Sequence, residues 1–489
     1  MINKVKQIIT AAFRNNVVLY LFSRYFTFLL QFLNSLFLAS NLGPYYLGIW
    51  GFFSLSLQYL SFFNFGIQQS SNNYLSLKFS NEKLRGKIAA NALNLLAILF
   101  GLLILSTVAF RLFAYDFAEK YHFSTLYIPL LVAGIMNHLI VFFSNIYRIY
   151  GKFFKISLSQ SLSVFFTLLV VWQYKGAYLL QVLVSIQVVS AIFSVVLFLV
   201  GLPFKITLSF NTYWLKRIAI KGLYMFFYNS SFYFMMLATR SFVSTYYKVE
   251  EFGYFTFGFT LANTILLLLD SINYVIYPKI LNRFSKMEQS KVVTELGYIR
   301  SCYTTCTHLL AHTAIVLFPL FLYLFPKYSE SQNAFRLIIL TIILTTNAFG
   351  ISGFIIAKGR ERSLGGIAFA CLLLNLVCNY FLVIVWHVGF EFVILSTATA
   401  YLVYIFCINY FGLTLIGEKL NFRKLLNFTF NTRLLLPYLL SLVLIFLNAP
   451  NYFYILSLVV FVGLNMNNFK QIVKIIKRII LDPSIFSLK

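Results

Sequence analysis

Charge is scarce in this chain. Only 11% of its 489 residues are Asp, Glu, Lys or Arg, and just 13 of them are acidic. A soluble globular protein carries about 25% charged and about 45–50% apolar residues. Here 60% are hydrophobic, and the mean hydropathy is +0.82. Too few polar groups remain to cover the outside of a soluble fold. That excludes a soluble enzyme, a DNA-binding protein and a disordered chain. Cysteine is scarce too. Cys306, Cys371, Cys378 and Cys407 fall in apolar runs and Cys302 at the edge of one, and an odd number so placed argues against a disulfide scaffold. No Walker A loop is present, so direct ATP hydrolysis is not expected, and no hydrolase, kinase or glycosyltransferase constellation is found. No cofactor is called for.

What the chain has is apolar runs of membrane length. A bilayer core about 30 Å thick takes about 20 apolar residues per helix. Fourteen runs meet or approach that length: about 17–39, 46–67, 88–110, 125–147, 157–174, 179–200, 222–245, 254–277, 303–325, 337–357, 364–386, 392–413, 434–448 and 452–468. They are continuously apolar rather than alternating, which excludes a β-barrel. The expected fold is therefore an all-α polytopic membrane protein of about fourteen transmembrane helices.

The basic residues test this layout. With the N-terminus cytosolic and the sides alternating, the inner segments hold 31 of the 39 Lys and Arg and the outer segments six. Arg24 and Arg240 lie within runs. The acids divide six and six, with Asp270 in a run. The net charge of +26 is thus a positive-inside signal that places both termini in the cytosol, and no nucleic-acid partner is needed to explain it. Residues 2–13 and 469–481 read as basic amphipathic helices on the inner surface. The first run is too long for a signal-peptide core and carries Arg24, so it is expected to be retained.

The first six runs can be laid over the next six. The turn Leu42-Gly43-Pro44-Tyr45-Tyr46-Leu47-Gly48 has a counterpart in Val249-Glu250-Glu251-Phe252-Gly253-Tyr254, and Tyr150-Gly151-Lys152 has one in Lys358-Gly359-Arg360. Gly48 to Gly253 is an offset of 205 and Gly151 to Gly359 one of 208. Nearly equal offsets argue for duplication. Six spans is an even number, so both copies face the same way, related by an axis along the membrane normal with a cavity between them. The expected organisation is a six-helix bundle over 1–215, a second over 216–415, and two further helices with a basic cytosolic tail over 416–489.

Three short motifs carry a resemblance. The Leu-Gly-x-x-x-x-Gly turn from Leu42 to Gly48, the Asn-x-Gly-Ile of Asn64 to Ile67, and Gly359-Arg360-Glu361-Arg362 are similar to those of Wzx-type polysaccharide flippases. These belong to the multidrug/oligosaccharidyl-lipid/polysaccharide exporter superfamily. The resemblance covers roughly residues 10–415. It implies two bundles that rock about a central cavity in a bacterial inner membrane. The implied activity is translocation of an undecaprenyl-diphosphate-linked oligosaccharide, an O-antigen or capsule repeat unit, to the outer leaflet. It also implies a polysaccharide polymerase and a chain-length regulator as partners.

Ionisable residues within spans cost about 2.5–3.5 kcal/mol each on insertion scales, so each needs a reason. Arg24 and Arg240 are candidates to hold a diphosphate through forked hydrogen bonds, against snorkelling to the nearer interface. Asp270 matches Arg24 in depth. It is a candidate partner for that arginine, a gate, or a proton-coupling group, against pairing for stability alone. Arg148 and Lys152, with Lys216, Arg217 and Lys221, are candidates for a basic cytosolic mouth; positive-inside topology explains them equally. His138 can line a cavity or make a buried contact between helices, the second reading being favoured. Cys302, Cys306, His308 and His312 cluster, but on one helix the two pairs point about 80–120° apart, so they do not make a metal site unaided. Tyr59 is one of many aromatics able to stack on a sugar. A polymerase or ligase would need a large outer loop with basic residues, which is missing. A cation-coupled drug antiporter would suit a buried acid in the first half, whereas Asp270 lies in the second.

Overall fold

The computed structural model describes residues 16–77, 81–113, 119–207, 209–265, 289–417 and 421–481. Their regular structure is all helical, with no strand among the described residues. In chain order the helices are α1 (Asn16–Phe62), α2 (Ile67–Leu77), α3 (Glu82–Phe113), α4 (Phe123–Ile149), α5 (Phe153–Val170), α6 (Gly176–Leu199), α7 (Thr212–Tyr246) and α8 (249–265). Then follow α9 (Gln289–Leu324), α10 (Ser331–Leu344), α11 (Ile351–Ala357), α12 (Glu361–Tyr380), α13 (Leu395–Leu415), α14 (Phe422–Thr429), α15 (Thr432–Phe446) and α16 (Tyr454–Leu481).

Among the described residues eight helices are long and apolar enough to cross a membrane, or nine when the bent pair α14 and α15 is taken as one span. The other apolar runs fall on helices that are shorter, kinked, less apolar or partly outside the described residues. The kinks have local causes. α1 breaks at Gly43, whose φ of 72° suits glycine, and Pro44 restarts the helix with a φ its ring presets. The run expected at 337–357 is interrupted between α10 and α11. There Thr345 and Thr346 donate their hydroxyls to the Ile342 and Ile343 carbonyls at 2.8 and 2.6 Å, and Gly350 takes φ 83°. Side chains that bond back to the backbone compete with the helix ladder in this way. At the C-terminus the last run and the basic segment after it form one helix, α16. The amphipathic segment expected at 2–13 lies outside the described residues.

The chain packs as two compact units, residues 33–253 and residues 1–32 with 254–489. In the first, α4 packs along α6, and the Tyr147 hydroxyl donates to the Phe198 carbonyl at 2.8 Å. Ile88, Leu96, Phe142, Phe143, Phe198 and Trp214 form its core. α7 packs with this unit, which ends at residue 253. The physical reason is a close helix crossing: a Cβ on Gly66 would overlap the Gly222 carbonyl of α7. In the second unit α9 and α15 pack on α16, and α12 on α13.

Within each unit, segments assigned to the same side of the membrane come together. In the second, Arg336 donates to Asn451 Oδ1 at 2.6 Å. In the first, Tyr45 Oη lies 3.2 Å from His122 Nε2.

Candidate functional site

The two turns marked by the sequence repeat touch each other. A Cβ on Gly48 would overlap the Val249 carbonyl, and one on Gly253 would overlap the Pro44 carbonyl. Position 44 becomes 249 on adding the offset of 205, and 48 becomes 253. The contact is therefore reciprocal: Gly48 meets Val249 as Gly253 meets Pro44. It depends on both positions lacking a side chain. Beside it Lys120 donates Nζ to the Ser244, Thr245 and Tyr247 carbonyls at 2.8, 3.2 and 2.6 Å. An ammonium there satisfies the orphan carbonyls at the end of α7 and suits the negative end of its dipole. Burial lowers the pKa of this lysine, and the charge of Glu251 opposes the shift.

Gln58 lies ten residues after Gly48, roughly 15 Å along α1. It meets Arg240, whose side chain is 2% exposed. Arg240 Nη1 donates to Gln58 Oε1 at 3.2 Å. The adjacent residues Tyr59 and Ser241 share a hydrogen bond of 2.8 Å between their hydroxyls. α1 and α7 are thus pinned by two neighbouring polar contacts, one carrying a guanidinium. Rings continue along this seam. Phe62 lies 5.0 Å from Phe234 and Phe65 lies 5.2 Å from Phe226, centre to centre. Tyr59 is partly exposed, with the Phe234 ring stacked at 6.2 Å from its own.

The other candidates are dispersed. His138 is buried against α2: Gln68 Nε2 donates to its carbonyl at 2.8 Å and lies 3.4 Å from its Nδ1, with Phe100 beside the ring. Arg148 is exposed in the last turn of α4. Lys221 is half-buried, its Nζ 4.6 Å from the centre of the Tyr74 ring. Lys152, Lys216 and Arg217 are exposed. The backbone of Arg24 lies in α1, but its side chain and the whole of Asp270 lie outside the described residues, so the pairing expected between them does too. His308 and His312 are buried with their rings 5.8 Å apart, and both pack on Phe461. Among the described residues no three of His, Cys, Asp and Glu converge as metal ligands.

Sequence reasoning missed Gln58 and Ser241, neutral residues with no motif around them. It missed the clamp made by Lys120, counted only as one of six outer cations. Arg85 was counted as an inner cation, yet it is buried between the rings of Tyr150 and Phe204, 5.1 and 5.5 Å from their centres. In the second unit a cavity of about 440 Å³ opens between Phe32 of α1, Leu261 and Ile265 of α8, and Leu309, Phe318 and Phe321 of α9. Thr313 is the single polar residue in its lining.

No family model matches the chain, and no curated protein matches it. Solved structures do. The chain is similar to a multidrug resistance MATE family transporter of the MOP superfamily in an inward-facing conformation, with TM-score 0.66 and 15% identity over 79% of this chain and 94% of that one. It is similar to the lipid II flippase MurJ in an inward closed conformation, with TM-score 0.59 and 14% identity over 95% and 100%. A MOP superfamily transporter from Pyrococcus furiosus Vc1 (DSM3638) is similar at TM-score 0.51 and 15% identity, over 81% and 94%. At such identities the likeness is one of fold. The chain is a multi-pass, all-helical membrane protein with the fold of these transporters. These neighbours are transporters and a flippase rather than enzymes.

Proposed function

We propose that the chain is a flippase that carries undecaprenyl-diphosphate-linked oligosaccharide repeat units from the cytosolic to the outer leaflet by alternating access. Its setting is a bacterial inner membrane, with about fourteen spans and both termini cytosolic. The observation that carries the reading is the buried guanidinium of Arg240, set along α1 and α7 from a reciprocal contact between two repeated turns. The turns supply a contact that closes the outer end and that must part for release. The guanidinium, with Arg24 at matching purpose in the first span, supplies a handle for a diphosphate, which arginine grips with paired hydrogen bonds. One or two such groups suit a carrier, because a more basic path would hold the head group too tightly to release it. The aromatic seam around Tyr59 suits a sugar, and the apolar cavity beside Phe32 suits a polyprenyl chain. Asp270 and His138 are proposed to serve gating, and Arg148 and Lys221 the cytosolic mouth. A polysaccharide polymerase and a chain-length regulator are the expected partners. A cation-coupled drug antiporter is the alternative.

Deleting the gene is expected to stop surface polysaccharide and leave lipid-linked repeat units, unpolymerised, in the cytosolic leaflet. Unpolymerised repeat units in the outer leaflet would instead mean a polymerase. Loss of cationic-dye export with intact polysaccharide would mean an antiporter.

The orientation has its own test. Lys175 and Lys216 are both exposed. In a background stripped of the five native cysteines, Lys175→Cys is expected to react with a membrane-impermeant thiol reagent outside intact cells, and Lys216→Cys only after the cells are opened. The reverse pattern would overturn the assignment of sides.

A further inference from the structure

The second unit holds a cavity that the transport reading does not use. It measures about 460 Å³ and lies where the start of α9 meets the bend between α14 and α15. Arg300 lines it, together with Ser301, Thr304, Asn427, Asn431 and Thr432. Among the described residues no acid is in its lining. That separates it from the cavity around Arg336, whose lining includes Glu330 and Glu391.

The arginine is held, and no acid among the described residues neutralises it. Its guanidinium lies 3.7 Å from the centre of the Phe428 ring, close enough for a cation–π contact that fixes its position. Its Nη1 is buried, with no hydrogen-bond partner among the described residues. A charged group left without its partners costs about 1–3 kcal/mol or more, and Arg300 lines the cavity, so an anion there would meet a guanidinium whose charge is not already paired among the described residues. The second positive element is a helix end. α14 and α15 meet at 72°, so α15, which is 15 residues long, begins at the cavity wall. Asn431 caps it, its Oδ1 accepting from the Arg433 amide at 3.1 Å. That use of the oxygen leaves the Asn431 amide nitrogen as a donor. Cation, helix N-terminus, hydroxyls and amide together make an acceptor-seeking site.

We infer that this cavity binds a phosphate-bearing anion through Arg300 and the first turn of α15. The site lies among segments that the charge pattern assigns to the cytosolic side, so the phosphate comes either from a lipid head group of the inner leaflet or from solution. The inference does not depend on what the protein transports, and its readout is binding rather than transport.

The test uses the full chain in nanodiscs. Two probes are compared: labelled inorganic phosphate in phosphatidylcholine discs, and retention of phosphatidylglycerol, read by native mass spectrometry, in mixed discs. Arg300→Gln is expected to weaken whichever probe binds by about 10–150-fold, the range of a charged hydrogen bond. Thr432→Pro is the second variant. Proline is tolerated at the first position of a helix, and Asn431 already has φ −68° and ψ 123°, which a following proline accepts. It removes one amide donor and leaves the charge, and a loss of about 3–10-fold is expected from one hydrogen bond. Phosphate binding lost in both variants assigns the site to a soluble ligand. Phosphatidylglycerol retention lost in both assigns it to a lipid. Binding of neither probe by the wild type, or unchanged binding in both variants, overturns the inference.

Discussion

Gly253→Val is expected to cut transport at least about tenfold while the protein still inserts in the membrane. The position faces the Pro44 carbonyl with no room for a Cβ. Forcing carbon into a packed contact costs about 1–3 kcal/mol, and 1.4 kcal/mol is a factor of ten in an equilibrium. The whole of that cost falls on the state in which the two turns touch, so it shifts the population toward the state in which they part. Gly48→Val meets the Val249 carbonyl through the same reciprocal contact and is expected to act alike. Gly101→Val is the matched control, because nothing lies within 4 Å of a Cβ there. It is expected to change transport less than about twofold, a β-branched residue costing a helix only a few tenths of a kcal/mol relative to alanine. The conformational shift can be read directly. Ser241→Cys, near the outer end of α7, is expected to react faster with an outside thiol reagent when Gly253→Val is present. Wild-type transport in Gly253→Val, or an equal loss in Gly101→Val, would remove the turn contact from the mechanism.

Gln58→Glu is expected to silence transport as fully as Arg240→Ala, although it leaves the arginine in place. Gln58 Oε1 already accepts from Arg240 Nη1, so a carboxylate there forms an ion pair with little movement. In a site of low dielectric such a pair is much stronger than in water, and it occupies the charge a diphosphate would meet. Arg240→Ala removes the charge outright, and the loss of charged hydrogen bonds is expected to lower transport by about 10–150-fold. Arg240→Lys keeps the charge without the fork and is expected to retain part of the activity. Thermal stability separates function from packing: Gln58→Glu is expected to hold or raise Tm while transport falls. Full transport by Gln58→Glu at normal expression would show that Arg240 serves only to hold α1 against α7.

Much of the helical layout was legible because it is written in single residues. The apolar run at 179–200 became α6 and that at 125–147 became α4, each within a few residues. Gly43-Pro44 announced its own kink, since glycine tolerates positive φ and proline begins helices. The interruption after Leu344 was not read, because threonine and asparagine within an apolar run say nothing until their side chains are seen bonding backward to the backbone. The candidate site was legible in part. Arg240 stood out as a charge in a span and Tyr59 as an aromatic near it. Gln58 and Ser241 are neutral and unremarked in sequence, separated by 183 positions, and only folding sets them beside Arg240 and Tyr59. Gly48 and Gly253 were visible as landmarks of a duplication, but nothing in the repeat said that the two landmarks meet.

Composition alone determined that the chain lives in a membrane, and the alternation of basic residues alone argued which ends of its helices face inward. Both follow from transfer free energies that are summed residue by residue along the chain and depend on no partner. Tertiary structure decided what sums of that kind do not contain: that α7 packs with the residues before it, that the repeated turns close on one another, and that Arg240 is buried beside Gln58 while Arg300 is half-buried against Phe428. These are pair properties. Gly297–Thr304 and Asn427–Leu434 enclose one polar cavity across more than a hundred residues of chain. Each segment has the composition of an ordinary helix end, and the site exists only where the fold brings the two together.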